Sequence, residues 1–247
     1  MTTIALLGFG RVGRKVWETA AARSDTAVLF AIDSQPISPP SPIPIVPPDR
    51  FVQTCQSTRP DVIIDFSHPA ATMQIAPAAL SLGISMVVCT TGFSDDQRQT
   101  LRSCAQASNA AFLLAPNITP GINVLMLLAK IAGELLPEHD IHITDYHFRE
   151  KADCPSGTAK KIADALRQSG RDASVSGVRA GSIVGIHEAL FAGPRDQITI
   201  SHQSYTKDIF AHSALDAAVA LSGRRGFLEM TDILDYHRIL ERDVDGE

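Results

Sequence analysis

The segment T-I-A-L-L-G-F-G-R-V-G, residues 3–13, decides the fold of this chain. A short apolar run, typical of a strand, passes directly into three glycines with G-x-G-x-x-G spacing and then into a helical pattern. The first glycine permits a tight turn, the second lets a pyrophosphate approach the backbone, and the third lets helix and strand pack closely. Free N–H groups at the helix N-terminus would meet the phosphates. The segment therefore predicts the first strand, loop and helix of a dinucleotide-binding sheet.

A carboxylate after the second apolar run supports this interpretation. Asp33 lies twenty residues beyond Gly13 and directly follows the run at residues 27–32. This is the position expected for a group that holds the adenosine ribose hydroxyls. Because a carboxylate would repel a ribose 2′-phosphate, the sequence favours NADH over NADPH, although Arg11 and Arg14 could offset part of the repulsion.

Strand and helix patterns alternate through the first half of the chain, which predicts βαβ units and a parallel sheet. Apolar runs occur at residues 3–7, 27–32, 61–66, 84–89 and 111–114, with helical patterns at 11–22, 70–82 and 95–107. Residues 36–48 break this rhythm. They contain seven of the fifteen prolines, so we expect an extended surface loop that replaces a crossover helix. A docking motif for a proline-binding domain is the alternative.

The pattern changes after Pro116. A helix is predicted at residues 120–136, followed by apolar–polar alternation at 140–146, 182–191 and 197–202. Such alternation is typical of half-buried strands in a mixed or antiparallel sheet. Helical patterns return at residues 211–221 and 230–240.

Composition limits the class of protein. The 247 residues carry a net charge of -5, which argues against nucleic acids and anionic membranes as partners. The longest apolar stretch, around residues 110–129, is interrupted by prolines, so no membrane span is expected, and the N-terminus lacks the basic region of a signal peptide. The four cysteines form no C-x-x-C pair and predict reduced, mostly buried thiols in a cytoplasmic protein.

Polar residues follow three of the predicted parallel strands. They form the sequences S-H-P at residues 67–69, T-T-G at 90–92 and P-N at 116–117. Ligands bind beyond the carboxyl ends of such strands, so these residues are candidates for holding a nicotinamide ring. Helix capping by Ser67 and Thr91 is the alternative.

The segment D-Y-H-F-R-E-K-A-D-C-P-S-G-T-A, residues 145–159, concentrates the candidate chemistry. A predicted strand delivers His147, which can transfer a proton near neutral pH, and Lys151 adds a cation four residues later. Ser156 can cap a helix whose first amides, at Gly157 and Thr158, suit a carboxylate. No metal is expected, because the strand pattern places His139 and His142, the one tight histidine pair, on opposite faces.

These motifs carry a family resemblance. The sequence K-A-D-C-P-S-G-T-A, residues 151–159, preceded by Tyr146-His147, resembles the signature of the 4-hydroxy-tetrahydrodipicolinate reductase family of lysine and diaminopimelate biosynthesis. Supporting matches are the glycine loop, D-F-S-H-P at 65–69, T-T-G-F at 90–93, A-P-N at 115–117 and R-x-G-x-I-x-G-x-H at 179–187. The resemblance covers nearly the whole chain.

The resemblance implies hydride transfer from NAD(P)H to C4 of a cyclic dicarboxylate, in a cytoplasmic homotetramer that forms through the sheet of its second domain. His147 and Lys151 match the family's catalytic residues. Substrate contacts fall on Phe148, Lys151, Ser156, Gly157 and Thr158. Cofactor contacts fall on Gly8, Phe9, Gly10, Arg11, Val12, Gly13, Asp33, Cys89, Thr90, Thr91, Ala115, Pro116, Asn117 and Ile118.

The chain departs from the family pattern at four places. Phe148 replaces a second histidine, Cys89 replaces a glycine, Lys207 replaces an arginine, and the glycine loop is one residue shorter. A related imine or aldehyde reductase with altered substrate preference is therefore the alternative enzyme, and a nicotinamide-binding sensor without turnover is the alternative of another class. A sensor has no need of an acid, so the presence of both His147 and Lys151 argues against it.

Pattern and resemblance together predict an α/β protein with two domains. A Rossmann-type parallel-sheet domain is expected from residues 1–118 plus 208–247 and binds the dinucleotide. An inserted mixed α+β domain, residues 119–207, is expected to bind the substrate and to form the oligomer.

Overall fold

The computed structural model describes residues 1–34 and 41–235. The chain divides into two compact units, Met1–Ile118 together with the chain from Phe210 onward, and Thr119–Ile209. Within the described residues, no helix is both long and apolar enough to cross a bilayer.

The first unit is built on a seven-stranded, all-parallel sheet with the strand order β11-β6-β5-β4-β1-β2-β3. Its strands are β1 (Thr2–Leu7), β2 (Thr26–Ile32), β3 (Ile45–Val46), β4 (Val62–Asp65), β5 (Ser85–Val88), β6 (Ala111–Leu114) and β11 (Gly226–Leu228). Its helices are α1 (Arg11–Ala21), α2 (Phe51–Thr58), α3 (Pro69–Ser81), α4 (Asp95–Gln106), α7 (Ile209–Ala220) and α8 (Met230–Ile233).

Helices cover both faces of this sheet, which explains why its strands are apolar on both sides. In β1, Ala5 and Leu7 join a core with residues of α2, α3 and α4, whereas Ile4 and Leu6 join a second core with residues of α1 and α7. The strand order reverses between β1 and β4, so the carboxyl ends of these two strands flank the crevice where doubly wound sheets bind ligands. The predicted parallel α/β class is confirmed.

The second unit has a four-stranded mixed sheet with the order β10-β9-β7-β8. Its elements are α5 (Pro120–Leu135), β7 (Asp140–His147), α6 (Gly157–Gln168), β8 (Ser174–Arg179), β9 (Ile186–Ala192) and β10 (Gln197–Gln203). Strand β7 alternates buried and half-buried residues, so one face of the sheet packs against the helices. That core unites Leu125 of α5, Ile143 of β7, Ile162 of α6 and Phe191 of β9.

Several predicted elements need correction. The crossover helix is present: α2 follows the proline-rich segment, because Phe51 and Cys55 lie one turn apart and are both buried. Residues 45–46 pair with β2 at the edge of the sheet, where the flanking prolines are tolerated because an edge strand has a neighbour on only one side. The strand predicted to begin at residue 182 begins at Ile186.

Two further strands were missed, and two predictions extend beyond the described residues. The prediction missed β8 and β11, since one is polar and both contain glycine. Residues 35–40 of the proline segment and residues 236–240 of the last predicted helix lie outside the described ranges. The expectation of mostly buried thiols holds only in part, because Cys55 is buried, Cys89 and Cys104 are residues of intermediate exposure, and Cys154 is exposed.

Candidate active site

The glycine loop joins β1 to α1 with little room for side chains. Gly8 has a φ of +89°, a conformation that L side chains rarely adopt, and a Cβ on Gly13 would lie 2.2 Å from the Gly8 carbonyl oxygen. By contrast, a Cβ on Gly10 would meet no atom within 4 Å. Gly8 and Gly13 are thus required by the fold of the loop itself, whereas at Gly10 the protein imposes no such restriction.

Asp33 lies beside this loop. One oxygen of its carboxylate accepts a hydrogen bond from the Phe9 amide at 2.9 Å. A cavity of about 400 Å³ borders the loop, and its lining includes Gly8, Gly10, Asp33 and Ser67. An α1 N-terminus, a glycine loop and an acidic residue on one cavity fit the diphosphate and ribose of a dinucleotide.

A buried carboxylate organises the ends of strands β4 and β5. Asp65 is fully buried and accepts hydrogen bonds from the Ser67 hydroxyl at 2.6 Å, the Thr72 hydroxyl at 2.5 Å and the Thr90 hydroxyl at 2.9 Å. The helix caps proposed for Ser67 and Thr91 are wrong: His68 caps α3 and Ser94 caps α4. The polar strand ends are therefore tied together by Asp65, a residue that the sequence analysis did not single out.

Cys89 follows β5 at a position where the family pattern has glycine. Burial raises the pKa of its thiol well above the usual value, and the nearby Asp65 acts in the same direction. The thiol is therefore protonated near neutral pH, and no anion is added at this strand end.

In the second unit, β7 delivers His147 to a buried hydrogen-bond network. The imidazole Nδ1 lies 2.7 Å from an oxygen of Asp145, whose carboxylate is completely buried. The guanidinium of Arg179 lies 3.2 Å from the same oxygen. Burial lowers the pKa of His147, Asp145 opposes that shift, and the charges of Lys151 and Arg179 reinforce it.

A second histidine from β9 adjoins the first. His187 is cross-strand partner to Asp145, its ring centroid lies 5.3 Å from that of His147, and its Nε2 lies 3.3 Å from the Ser156 hydroxyl. Burial lowers the pKa of His187 to about 4, helped by the charge of His147, so its ring is neutral near pH 7. Although Asp145, His147 and His187 have ligand atoms within 4.8 Å of one another, the guanidinium of Arg179 already supplies the cation beside Asp145.

The start of helix α6 and Lys151 converge on one carboxylate. Ser156 caps the helix by accepting a hydrogen bond from the Ala159 amide, as predicted. One oxygen of Asp153 lies 2.5 Å from the Lys151 ammonium, and the other accepts a hydrogen bond from the Gly157 amide at 3.3 Å. The carboxylate of Asp153 therefore contacts the same two donors that the sequence predicts for a substrate carboxylate.

Two of the departures from the family pattern contact each other. The Lys207 ammonium lies 4.1 Å from the centroid of the Phe148 ring, a cation–π arrangement. Phe148, which replaces a histidine of the family pattern, thus contacts Lys207, which replaces an arginine.

Sequence reasoning missed Asp145, Arg179 and His187 as members of the site. The period-2 pattern of β7 places Asp145 on the same face as His147, so the sequence pattern could have identified Asp145 as a neighbour of His147. The other two come from β8 and β9, and only the register of the sheet brings them to β7.

The fold and these two groups of residues define a class, the Rossmann-type oxidoreductases with a separate mixed-sheet unit. Residues 2–118 match the family model "Dihydrodipicolinate reductase, N-terminus", and residues 121–234 match "Dihydrodipicolinate reductase, C-terminus". The chain therefore belongs to the dihydrodipicolinate reductase family.

Individual relatives agree with this assignment. The 4-hydroxy-tetrahydrodipicolinate reductase of Nitrosomonas europaea is 33% identical, with 91% of this chain and 94% of the relative covered. That of Methanosarcina mazei is 28% identical, with 95% and 99% covered. The fold matches a dipicolinate-bound dihydrodipicolinate reductase from Paenisporosarcina sp. TG-14 with a TM-score of 0.82 at 22% identity, covering 93% and 97% of the two chains.

Proposed function

We propose that this chain reduces 4-hydroxy-tetrahydrodipicolinate to tetrahydrodipicolinate, a step of lysine and diaminopimelate biosynthesis. NADH or NADPH, held at the glycine loop, would supply the hydride for C4, and the hydroxyl of C4 would take a proton and leave as water. The observation that carries the proposal is the convergence of the Lys151 ammonium and the Gly157 amide on one carboxylate, in a unit that also holds His147. A dianionic substrate needs such donors.

Each residue has a definite task in this reaction. Lys151 and the α6 amides bind a substrate carboxylate, and His147 exchanges a proton through Nε2 while Asp145 accepts a hydrogen bond from Nδ1. Phe148 holds Lys207 as a further cation for a dianion. The glycine loop binds the diphosphate, Asp33 the ribose, and the strand-end residues from Cys89 to Thr91 and from Ala115 to Ile118 the nicotinamide.

A steady-state assay with the named substrate and both nucleotides tests the proposal. Lys151→Ala should lower kcat/KM by ~100-fold or more through loss of a charge-assisted contact, and His147→Gln should lower kcat by ~100-fold with nucleotide affinity unchanged. Lys130→Ala, an exposed lysine of α5, is the control. Turnover of simple imines or aldehydes in preference to the dicarboxylate would favour the related reductase, and tight nucleotide binding without any turnover would favour a sensor.

We also propose a cytoplasmic homotetramer that assembles through the mixed sheet of the second unit. Strand β7 has no buried residue on the face away from the helices, and Val178 of β8, the cross-strand partner of Tyr146 on that face, is 40% exposed. The four thiols are free, which suits a reducing compartment. Light scattering should give the mass of four 26.5 kDa chains, and Val178→Glu should shift it towards smaller species; a 26.5 kDa particle for the unaltered protein would refute the tetramer.

A further inference from the structure

We propose that Asp145 is a positioning residue that sets both the tautomer of His147 and the start of helix α6 through one buried carboxylate. The inference rests on the proposed function for its catalytic consequence, but its structural content concerns only residues of the second unit. None of the motifs in the sequence assigns Asp145 a role.

Both oxygens of the Asp145 carboxylate lie close to hydrogen-bond donors. Its first oxygen accepts a hydrogen bond from the Ser156 amide at 3.2 Å. Its second oxygen lies 2.7 Å from Nδ1 of His147 and 3.2 Å from the Arg179 guanidinium. A carboxylate can only accept, so neutral His147 must carry its proton on Nδ1, which leaves the Nε2 lone pair for proton exchange.

The surroundings of His147 hold the ring in this orientation. A Cβ on Gly185 would lie 3.1 Å from Nε2, so the missing side chain makes room for the ring. The ring of His187 packs edge-on against it at an interplanar angle of 76°. The Asp145 carboxylate is completely buried, so its hydrogen bonds are shielded from solvent.

The same carboxylate ties the imidazole to the carboxylate-binding helix. The Ser156 amide that it accepts from belongs to the N-cap of α6, and the Ser156 hydroxyl caps the Ala159 amide. The Asp145 carboxylate therefore fixes the distance between Nε2 of His147 and the α6 amides that we propose to hold the substrate.

Asp145→Asn is the decisive variant, because an amide cannot reproduce two accepting oxygens. If its NH₂ faces His147, the ring must accept at Nδ1 and carry its proton on Nε2; if it faces Ser156, two donors oppose each other at the helix start. We expect kcat to fall by ~100-fold or more, as when an orienting carboxylate is lost from a catalytic histidine elsewhere. NADH affinity, a property of the other unit, should stay within about twofold of the unaltered protein.

The control is Glu188→Gln, the same chemical change one residue from His187. Glu188 accepts a hydrogen bond from the Tyr146 hydroxyl, and the strand alternation directs it to the opposite face of the sheet from His187. This variant should keep kcat and the tautomer of His147.

Imidazole ¹⁵N spectra give a measurement that does not depend on turnover, with His147 assigned from the His147→Gln spectrum. The neutral ring should carry its proton on Nδ1 in the unaltered protein. In Asp145→Asn the proton should move to Nε2 if the amide NH₂ faces the ring, and should stay on Nδ1 if the NH₂ faces Ser156. An Nε2 proton in the unaltered protein, or a kcat for the variant within about threefold, overturns the proposal. If the unaltered protein does not reduce the substrate, the proposed function fails, while the spectra still decide the role of Asp145.

Discussion

At the scale of single residues, Asp153 is the most informative side chain of the site. Its carboxylate binds the Lys151 ammonium and the Gly157 amide, the two donors proposed for the substrate. The lysine hydrogen bond lowers the pKa of Asp153, so the group is ionised near neutral pH and competes with an incoming carboxylate. If Lys151 and the Gly157 amide bind the substrate as proposed, the substrate must displace Asp153, and that displacement reduces the apparent affinity.

Removing this competitor should strengthen binding of a dicarboxylate. Asp153→Asn keeps the size of the side chain but removes its charge, and we expect the Kd of dipicolinate to fall by ~3–10-fold in calorimetry. Asp164→Asn, a carboxylate of α6 that pairs with Arg167 on the surface, is the matched control and should leave the Kd unchanged. Weaker binding to Asp153→Asn would mean that Asp153 holds Lys151 in place instead.

We propose that nucleotide preference depends on a second carboxylate, Asp33. It lies beside the glycine loop and accepts a hydrogen bond from the Phe9 amide. Like-charge repulsion of a 2′-phosphate should make NADPH bind ~10-fold more weakly than NADH, and Asp33→Ser should reduce or invert that difference.

Calorimetric titration of both nucleotides, at low and high salt, measures this preference. Asp96→Ser removes the same charge from the exposed first turn of α4 and should change neither affinity. Preference of the unaltered protein for NADPH would instead assign the phosphate contact to Arg11 or to another basic group.

At the scale of elements, different glycines of the loop serve packing and ligand binding. Gly13→Ala forces a methyl group to within 2.2 Å of the Gly8 carbonyl, so α1 must move away from β1. We expect the free energy of unfolding to fall by ~2–3 kcal/mol in urea denaturation, the usual cost of overpacking, with loss of nucleotide binding.

Gly10→Ala is the contrasting variant within the same loop. Its Cβ would meet no atom within 4 Å, so stability should change by less than ~1 kcal/mol. NADH affinity should nevertheless fall by ~10-fold or more, because the pyrophosphate must approach this backbone. Equal losses of stability in the two variants would contradict the assignment of Gly13 to packing and Gly10 to nucleotide binding.

At the scale of the whole molecule, buried histidines make stability depend on pH. The pKa of His187 is about 4 in the folded protein, against an ordinary value of 6.5. Between pH 6.5 and pH 4, His187 is protonated in the unfolded chain but stays neutral in the native protein. The free energy of unfolding is therefore highest above pH 6.5 and decreases as the pH falls towards 4. His147, whose pKa is also lowered, adds to the effect.

Urea denaturation between pH 4 and 7 should therefore show a falling free energy of unfolding, of which His187 contributes roughly 3 kcal/mol at most. His187→Gln should flatten the dependence, whereas His212→Gln, an exposed histidine of α7, should not. An unchanged slope in His187→Gln would show that this ring is protonated in the native protein.

Local sequence patterns determined much of this protein. The run of residues 3–13 fixed the first strand, the glycine turn and the helix after it, because φ near +90° at Gly8 and the close approach at Gly13 are requirements of adjacent residues. The spacing of His147, Lys151 and Ser156 likewise predicted a strand end, a cation and a helix cap within one short segment. Periodicity and capping act over a few residues, so the sequence records them directly.

Tertiary structure alone decided the rest of the site. Arg179 and His187 reach Asp145 through the register of β8 and β9, which lie more than thirty residues further along the chain. Lys207 reaches Phe148 across almost sixty residues. These contacts depend on long-range strand pairing and side-chain packing, whose energies are shared among residues that no local pattern connects.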